Sequence, residues 1–243
     1  MNITVSDIRT RVQEIFQTKG GKCKLVLLYL IATLLMSLVS GLLSGIVMGI
    51  LSFSWSGVWI GLCLVFCLML GASGVLCYGE VKALQAVRQG ESFSIGTYFR
   101  FENLGHVFGV TILQGIFTFL WSLLLVVPGI MKAYSYSFAY YVLDDEPDTS
   151  ALESITKSRE LTHGHKWTLF KYDMFYTLWY VILTLVFNVI CTPGIITDSP
   201  TLLGVLLLIS FGVEVVYWFK CLPMILMGRY ELYTQVKNQH TMN

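Results

Sequence analysis

The fold is decided by residues 25–53, which read LVLLYLIATLLMSLVSGLLSGIVMGILSF and contain no charged side chain. An α-helix needs about 20 apolar residues to cross the ~30 Å hydrocarbon core of a bilayer, so this run is long enough for one crossing. Five further runs that are mainly apolar follow it. They comprise residues 58–79, 105–127, 130–143, 168–191 and 201–228. We therefore predict an all-α membrane protein, built as a six-span helical bundle with amphipathic helices at its cytoplasmic surface.

The composition of the whole chain agrees with a bilayer as its solvent. Of the 243 residues, 55% are hydrophobic and only 13% are charged. Soluble domains carry roughly 25% charged residues, about twice as many. The formal net charge of +1 excludes a basic nucleic-acid-binding protein and an acidic disordered chain. We expect no nucleic-acid partner.

The first 24 residues differ from the rest of the chain. Between residues 5 and 16, apolar residues recur at helical spacing and charged residues fill the other face, which predicts an amphipathic helix lying on the cytoplasmic membrane surface. Thr4 and Asp7 have the spacing of a capping box at its start. The predicted organisation is an amphipathic helix at residues 1–24 and a single polytopic membrane domain at residues 25–243.

The orientation follows from the lysine and arginine residues. With six spans, fourteen of the sixteen lie on one side, and only Lys132 and Lys220 lie in or beside spans. Because positively charged flanks stay on the cytoplasmic side, both termini are predicted to be cytoplasmic. By residue count, Lys132 lies near the outer end of the fourth run.

No pattern in the chain indicates catalysis or metal binding. Five of the six cysteines lie in or at the ends of apolar spans, and none has the paired spacing of a zinc site or a disulfide framework. The chain has no HExxH motif, no Walker loop, no GxGxxG after a strand and no GxSxG elbow. We expect no cofactor, no metal and no catalytic residue, and hence a protein that is not an enzyme.

A ladder of small residues runs along the first span. Gly41, Gly45 and Gly49 follow Ser37 at intervals of four residues, and so share one helix face. Small residues allow two membrane helices to approach closely. The ladder predicts packing against another span of the same chain, with a homodimer as the less favoured alternative.

The fourth run is too short for an ordinary crossing. Residues 130–143 extend about 21 Å as a helix, and Pro128–Gly129 before them predicts a tight turn on the outer side. The run is a short tilted span, a re-entrant segment or a helix that starts inside a cavity.

Glu214 is the charged residue placed deepest in an apolar run. A carboxylate near the middle of a bilayer must pair, become neutral or face water. We predict an intramembrane polar cluster in which Glu214 and the polar face of the fourth run line one cavity. Its members are Lys132, Tyr134, Tyr136, Tyr140 and Glu214. The alternative is a buried structural hydrogen bond.

A second set of predicted site residues lies at the start of the fifth span. His165, Lys166, Trp167 and Lys171 combine basic side chains, an indole and a helix start. Such a set is typical of ordinary interfacial anchoring, and it is also the pattern of a lipid headgroup contact. Membrane lipid is therefore a predicted partner.

Four short stretches carry a resemblance to a known family. They read VPGIMKAYSY at residues 127–136, SALE at 150–153, SREL at 158–161 and GHKW at 164–167. With them the chain resembles a bacterial integral-membrane family known as domain of unknown function 975, and it is distantly similar to the membrane domain of some glycerophosphodiester phosphodiesterases. The resemblance extends over most of the chain. It implies a six-span protein of the bacterial inner membrane without an assigned reaction.

The function predicted from these features is a non-enzymatic membrane component. It would be a helper that binds lipid or peptide, or a subunit of a transport or protection system. The alternative is a small-solute transporter with a polar cavity around Glu214, and a third interpretation is an intramembrane enzyme. A water-accessible cavity would favour transport, and a sealed interior would favour the helper.

Overall fold

In a computed structural model, the described residues are 3–19, 21–51, 55–99, 103–196 and 200–242, and nearly all of them are helical. The helices, in chain order, are α1 (Val5–Thr18), α2 (Lys22–Leu51), α3 (Trp55–Gln89), α4 (Ile95–Tyr98), α5 (Leu104–Leu124), α6 (Val126–Tyr136), α7 (Ala139–Asp145), α8 (Ala151–Leu161), α9 (Lys166–Ile196) and α10 (Pro200–Met242).

Four helical segments in the described part of the chain are long and apolar enough to cross a membrane. They are Lys22–Leu51, Ser56–Gln89, Leu104–Leu124 and Lys166–Val186. Large apolar side chains on these segments face outward, and Leu34 and Leu42 of α2 are 67% and 62% exposed. Such exposure suits a lipid solvent, because burial in lipid removes apolar surface from water. The structure thus supports an all-helical, multi-pass membrane protein, while the predicted count of six spans goes beyond these four.

The predicted fourth span, residues 130–143, is not one continuous helix. It is divided between α6 and α7, of 11 and 7 residues, which are both shorter than the 17–25 residues or so that a crossing requires. The chain reverses at Leu125, whose backbone is extended with φ −161° and ψ 147°. Pro128 lies in the first turn of α6, where a missing N–H breaks no helical hydrogen bond. The turn is therefore three residues earlier than predicted.

The capping box predicted for α1 is present. The backbone N–H of Asp7 donates to Thr4 Oγ1 at 3.3 Å, and the N–H of Thr4 donates to Asp7 Oδ2 at 3.2 Å. The apolar face of α1, however, does not lie on a membrane surface, since Ile8 and Val12 are fully buried in the protein's own core. An amphipathic pattern shows only that one face avoids water, and here the protein covers that face itself.

The buried core lies at one end of the long helices. Its largest fully buried side chains come from α1, the start of α2, the second half of α3, the segments around α4, α7 and α8, the start of α9 and the C-terminal half of α10. Examples are Tyr98, Phe138, Ile155, Tyr172 and Leu232, each at most 2% exposed. This compact end positions the charged groups described below.

A buried carboxylate joins α1 to this core. Glu231 of α10 is 3% exposed, and its carboxylate lies 3.6 Å from Arg11 of α1 and 3.2 Å from Arg88 of α3. Gln235 Nε2 also donates to Glu231 Oε1 at 3.1 Å. One side chain thus links three helices.

Glu231→Gln is expected to release α1 without unfolding the bundle. Hydrogen bonds to a charged group contribute about 1.5–3 kcal/mol, so α1 should open about tenfold more often or more. Trypsin cleavage at Arg9 and Arg11, followed by mass spectrometry, measures that opening. Glu14→Gln, which changes an exposed carboxylate on α1 itself, is the control and should leave the cleavage rate unchanged. Equal rates for the two variants would contradict the assignment of Glu231 as the link.

Candidate functional site

A polar cavity of about 530 Å³ lies inside the compact end, between α2, α3, α5, α6, α7 and α10. Its volume falls in the range of roughly 300–1,000 Å³ that small-molecule sites occupy. The polar side chains that line it are Tyr29, Glu80, Gln114, Tyr134, Ser137, Tyr140, Tyr141 and Arg229. Four tyrosines among eight polar residues give the cavity both aromatic faces and hydroxyl groups.

The cationic group of the cavity is already paired. Arg229 Nη2 donates to Asp173 Oδ2 at 2.7 Å, and Arg229 Nε donates to Asp173 Oδ1 at 3.2 Å. This two-point geometry is the strongest arrangement of guanidinium and carboxylate. Asp173 is 4% exposed, so the carboxylate depends on Arg229 for its charge balance. The positive charge of the guanidinium is thus balanced by Asp173.

Two oxygen acceptors of the cavity remain available. Glu80 of α3 feels the positive charge of Arg229, yet no hydrogen bond or ion pair joins its carboxylate to another residue in the described ranges. Gln114 Oε1 of α5 is buried and has no hydrogen-bond partner among the same residues. A buried acceptor without a donor is costly, and such groups are uncommon in folded proteins. Both acceptors are therefore open to a donor from a ligand.

The cavity wall is held in place by hydroxyl groups that bond to neighbouring helices. The hydroxyls of Tyr140 and Thr111 lie 2.8 Å apart, which ties α7 to α5. Tyr172 OH donates to the carbonyl oxygen of Met224 at 2.6 Å, which ties α9 to α10 beside the Arg229 pair. The polar groups are thus mounted on helices that are fixed to one another.

The structure brings together only part of the polar cluster predicted from the sequence. Tyr134 and Tyr140 line the cavity. Tyr136 is buried in a neighbouring apolar cluster, with its ring 6.1 Å from that of Phe117. Glu214 does not line the cavity, and its side chain is exposed. It precedes Arg229 on α10 by fifteen residues, which is about 22 Å of helix and too far to reach the same cavity.

Lys132 lies in a different place from the one predicted. It lines a separate cavity with Arg159 and Lys166, two residues that the charge pattern assigns to the cytoplasmic side. Its Nζ is 4.3 Å from the ring centre of Trp121. Lys132 therefore groups with Arg159 and Lys166, because the chain reverses before α6 and α8 packs back against that helix.

Sequence reasoning missed Glu80, Asp173 and Arg229. Glu80 and Arg229 directly follow apolar runs and Asp173 is the sixth residue of another, positions at which a charged residue is typical of an ordinary interfacial flank. Their common position along the predicted helices could have revealed them. With the predicted orientation, all three fall at the cytoplasmic ends of their helices, and one cation among two carboxylates at one level predicts an ion pair.

The residues predicted to contact lipid headgroups gather at the start of α9. Trp167 is 63% exposed and stacks on Phe170, and Lys171 Nζ is 5.5 Å from the Trp167 ring centre. Lys166 lines the cavity that also holds Lys132. Burial and the positive charge of His240 lower the pKa of His165 below its ordinary value, so His165 adds no charge at neutral pH. The headgroup contact stays a prediction.

The ladder of Gly41, Gly45 and Gly49 does not pack within the described part of the chain. A Cβ placed on any of the three would meet no atom within 4 Å. The described residues therefore give no support to the favoured interpretation, in which the ladder packs against another span of the same chain. A homodimer through this face stays a prediction.

The described residues contain no candidate metal site, and five of their cysteines are free thiols. They contain no group of three or more histidine, cysteine, aspartate or glutamate residues that could hold a metal ion. Cys23, Cys63, Cys67, Cys77 and Cys221 are free thiols. The cavity is thus defined by a carboxylate, an amide, an ion pair and phenolic hydroxyls.

Comparison with known proteins finds a similar family for one part of the chain. No curated protein and no solved structure matches it, so the resemblance to the membrane domain of phosphodiesterases finds no counterpart. One family model does match. The matched residues cover less of the chain than the sequence resemblance implied, but they include the four stretches quoted between residues 127 and 167. Over residues 122–240, the chain matches the model of a family described as "Protein of unknown function (DUF975)".

Proposed function

We propose that this chain is a non-enzymatic, multi-pass protein of a bacterial cell membrane that binds a small amine-bearing solute in the cavity at Glu80. Six spans with both termini in the cytoplasm complete the proposal. In that topology the cavity lies near the cytoplasmic ends of the helices, because Glu80 and Arg229 directly follow apolar runs on that side and Asp173 lies near the start of another.

The observation that carries the proposal is the excess of open acceptors in the cavity. The Arg229 guanidinium is held by Asp173, whereas the Glu80 carboxylate and Gln114 Oε1 have no donor from the described residues. Asp173 already balances the charge of Arg229, so Glu80 is a second carboxylate beside a cation that is paired. An ammonium group would supply both the missing positive charge and N–H donors.

The walls of the cavity suit the same ligand. Tyr29, Tyr134, Tyr140 and Tyr141 present aromatic rings around the two acceptors. Aromatic faces attract cations, by about 2 kcal/mol or more where water is excluded. A small organic amine with an apolar body therefore fits better than an anion or a sugar.

A polar cavity favours a protein that binds a solute over a helper protein with a sealed interior. The transport interpretation placed this cavity around Glu214, whereas the proposal places it around Glu80. A protein that binds the solute and releases it on the other side is a transporter. A protein that only binds it is a helper or a sensor, and uptake of a labelled amine into liposomes containing the protein separates the two.

Glu80→Gln is expected to weaken amine binding about tenfold or more, because it removes a charge-assisted hydrogen bond. The probe is 2-phenylethylamine, and 2-phenylethanol is the neutral probe of similar shape. For the full chain in mild detergent, saturating amine should raise Tm, since a ligand at 100 times its Kd stabilises by about 2.7 kcal/mol. The alcohol should raise Tm less.

Glu214→Gln is the matched control, because it removes a carboxylate that does not line the cavity. It should keep the amine-induced rise in Tm, while Glu80→Gln loses most of it. The opposite result would return the site to Glu214. Equal stabilisation by amine and alcohol in the unaltered protein would remove the amine proposal altogether.

A further inference from the structure

A second cavity, separate from the one at Glu80, lies between α6, α8 and the start of α9. Its volume is about 450 Å³. Six residues line it: Lys132, Thr156, Arg159, Glu160, His163 and Lys166. The three cations come from three different helical segments, so tertiary packing alone brings them together.

These cations lack counter-ions. No ion pair within 4.0 Å involves Lys132, Arg159 or Lys166 in the described ranges of the chain. Glu160 contributes the single carboxylate of the cavity, which leaves an excess of two positive charges. Like charges gathered in one cavity repel one another, and a bound anion would relieve that repulsion. Elsewhere on α8 the situation differs, because Lys157 pairs with both Glu146 and Glu153.

Two neighbouring features narrow the class of anion. α9 begins at Lys166, which lines the cavity, so the N-terminus of a 31-residue helix with its partial positive charge lies at the cavity edge. Exposed apolar side chains neighbour the lining residues Lys132 and Lys166 along the chain, since Ile130 and Met131 on α6 and Trp167 on α9 are 44%, 56% and 63% exposed. Several cations beside a helix N-terminus favour phosphate, and the apolar border favours a phosphate that carries an acyl chain.

We propose that the cavity formed by Lys132, Arg159 and Lys166 binds a phosphate ester, such as the headgroup of an anionic phospholipid. Lys132 and Lys166 act as point charges, and Arg159 supplies the directed pair of N–H donors that suits phosphate oxygens. Glu160 opposes binding. The proposal is independent of the amine site, since the two cavities share no lining residue.

The test uses the full chain in a non-ionic detergent and three probes: dihexanoylphosphatidylglycerol, glycerol 3-phosphate and inorganic phosphate. Arg159→Gln should weaken binding of the lipid probe about tenfold. Lys157→Gln is the matched control on α8, two residues away and outside the cavity, and should change the Kd by less than about twofold. Both side chains lie on the protein's exterior, so elution as a single folded species is expected for each variant.

Glu160→Gln supplies a gain of binding that misfolding cannot imitate. Removing the repelling carboxylate should tighten binding about threefold or more. Tight binding of the lipid probe alone identifies a membrane lipid as the ligand, and equal binding of glycerol 3-phosphate identifies a soluble phosphate ester. The proposal is overturned if none of the three probes binds, if Arg159→Gln and Lys157→Gln have equal effects, or if Glu160→Gln fails to tighten binding.

Discussion

Gly79→Ala is expected to destabilise the folded protein strongly, because the added methyl group has no room. A Cβ at Gly79 would collide with the carbonyl oxygen, Cα and carbonyl carbon of Tyr98, all of which are backbone atoms that cannot rotate away. Tyr98 cannot shift easily either, because it is fully buried and its hydroxyl donates to the carbonyl oxygen of Leu25 at 3.2 Å. Overpacking typically costs about 1–3 kcal/mol, and a backbone obstacle places this variant at or above the upper end.

The measurement is the fraction of protein that survives heating in detergent, read by size-exclusion chromatography. Gly45→Ala is the control, because nothing lies within 4 Å of the added methyl group. It should melt within experimental error of the unaltered protein. Equal losses of stability in the two variants would show that α3 does not pack against the Tyr98 segment as described.

Arg229→Gln is expected to cost about 3–5 kcal/mol, the usual penalty for removing one member of a buried ion pair. Without the guanidinium, Asp173 is left 4% exposed with no counter-ion, and Glu80 loses its nearest positive charge. The large effect thus comes from the carboxylates that remain and not only from the two hydrogen bonds that are lost. Thermal melting of the purified full chain measures it.

The double variant Asp173→Asn/Arg229→Gln separates these causes. Removing both charges should restore part of the lost stability, because no unpaired carboxylate is left at position 173. Lys237→Gln is the control for loss of a cation, since Lys237 pairs with the partly exposed Asp145 and should cost about 1 kcal/mol or less. If the double variant is less stable than Arg229→Gln, the unpaired carboxylate of Asp173 is not the cause of the loss of stability.

Local features of the fold were predictable residue by residue. Capping interactions act within one turn of helix, so the residues that make them can be recognised from the local sequence. Thr4 with Asp7 marks the start of α1. Ser150 marks the start of α8, where its side chain accepts a hydrogen bond from the N–H of Glu153 at 3.3 Å. Gly164, with φ +82°, ends the turn after α8 as expected of a residue without a Cβ. These outcomes depend on neighbours along the chain and not on packing.

The covering of apolar faces was less predictable. The pattern of α1 predicts a face that avoids water, but Ile8 and Val12 are covered by the protein core and not by lipid. The composition of the run 130–143 is continuous and predicts one helical segment, yet the helix breaks between Tyr136 and Ala139. Apolar periodicity measures only the avoidance of water, and core and bilayer satisfy it equally well.

The candidate site was predicted in part. The hydroxyl-rich face of the fourth run does line a polar cavity, through Tyr134 and Tyr140. The carboxylate in that cavity is Glu80, because Glu214 lies too far along α10. Glu214 is distinguished by its depth within an apolar run, whereas the polar cavity lies where several helices end together.

The residue pattern alone determines that this chain is helical, that long parts of it suit lipid, and where several helices start and stop. These properties depend only on the length of the apolar runs and on contacts within a turn or two of helix. Tertiary packing settles which charged groups meet. Asp173 and Arg229 are 56 residues apart, and Lys132, Arg159 and Lys166 come from three segments. Their proximity depends on how the helices cross and where the chain reverses, and no local periodicity encodes either.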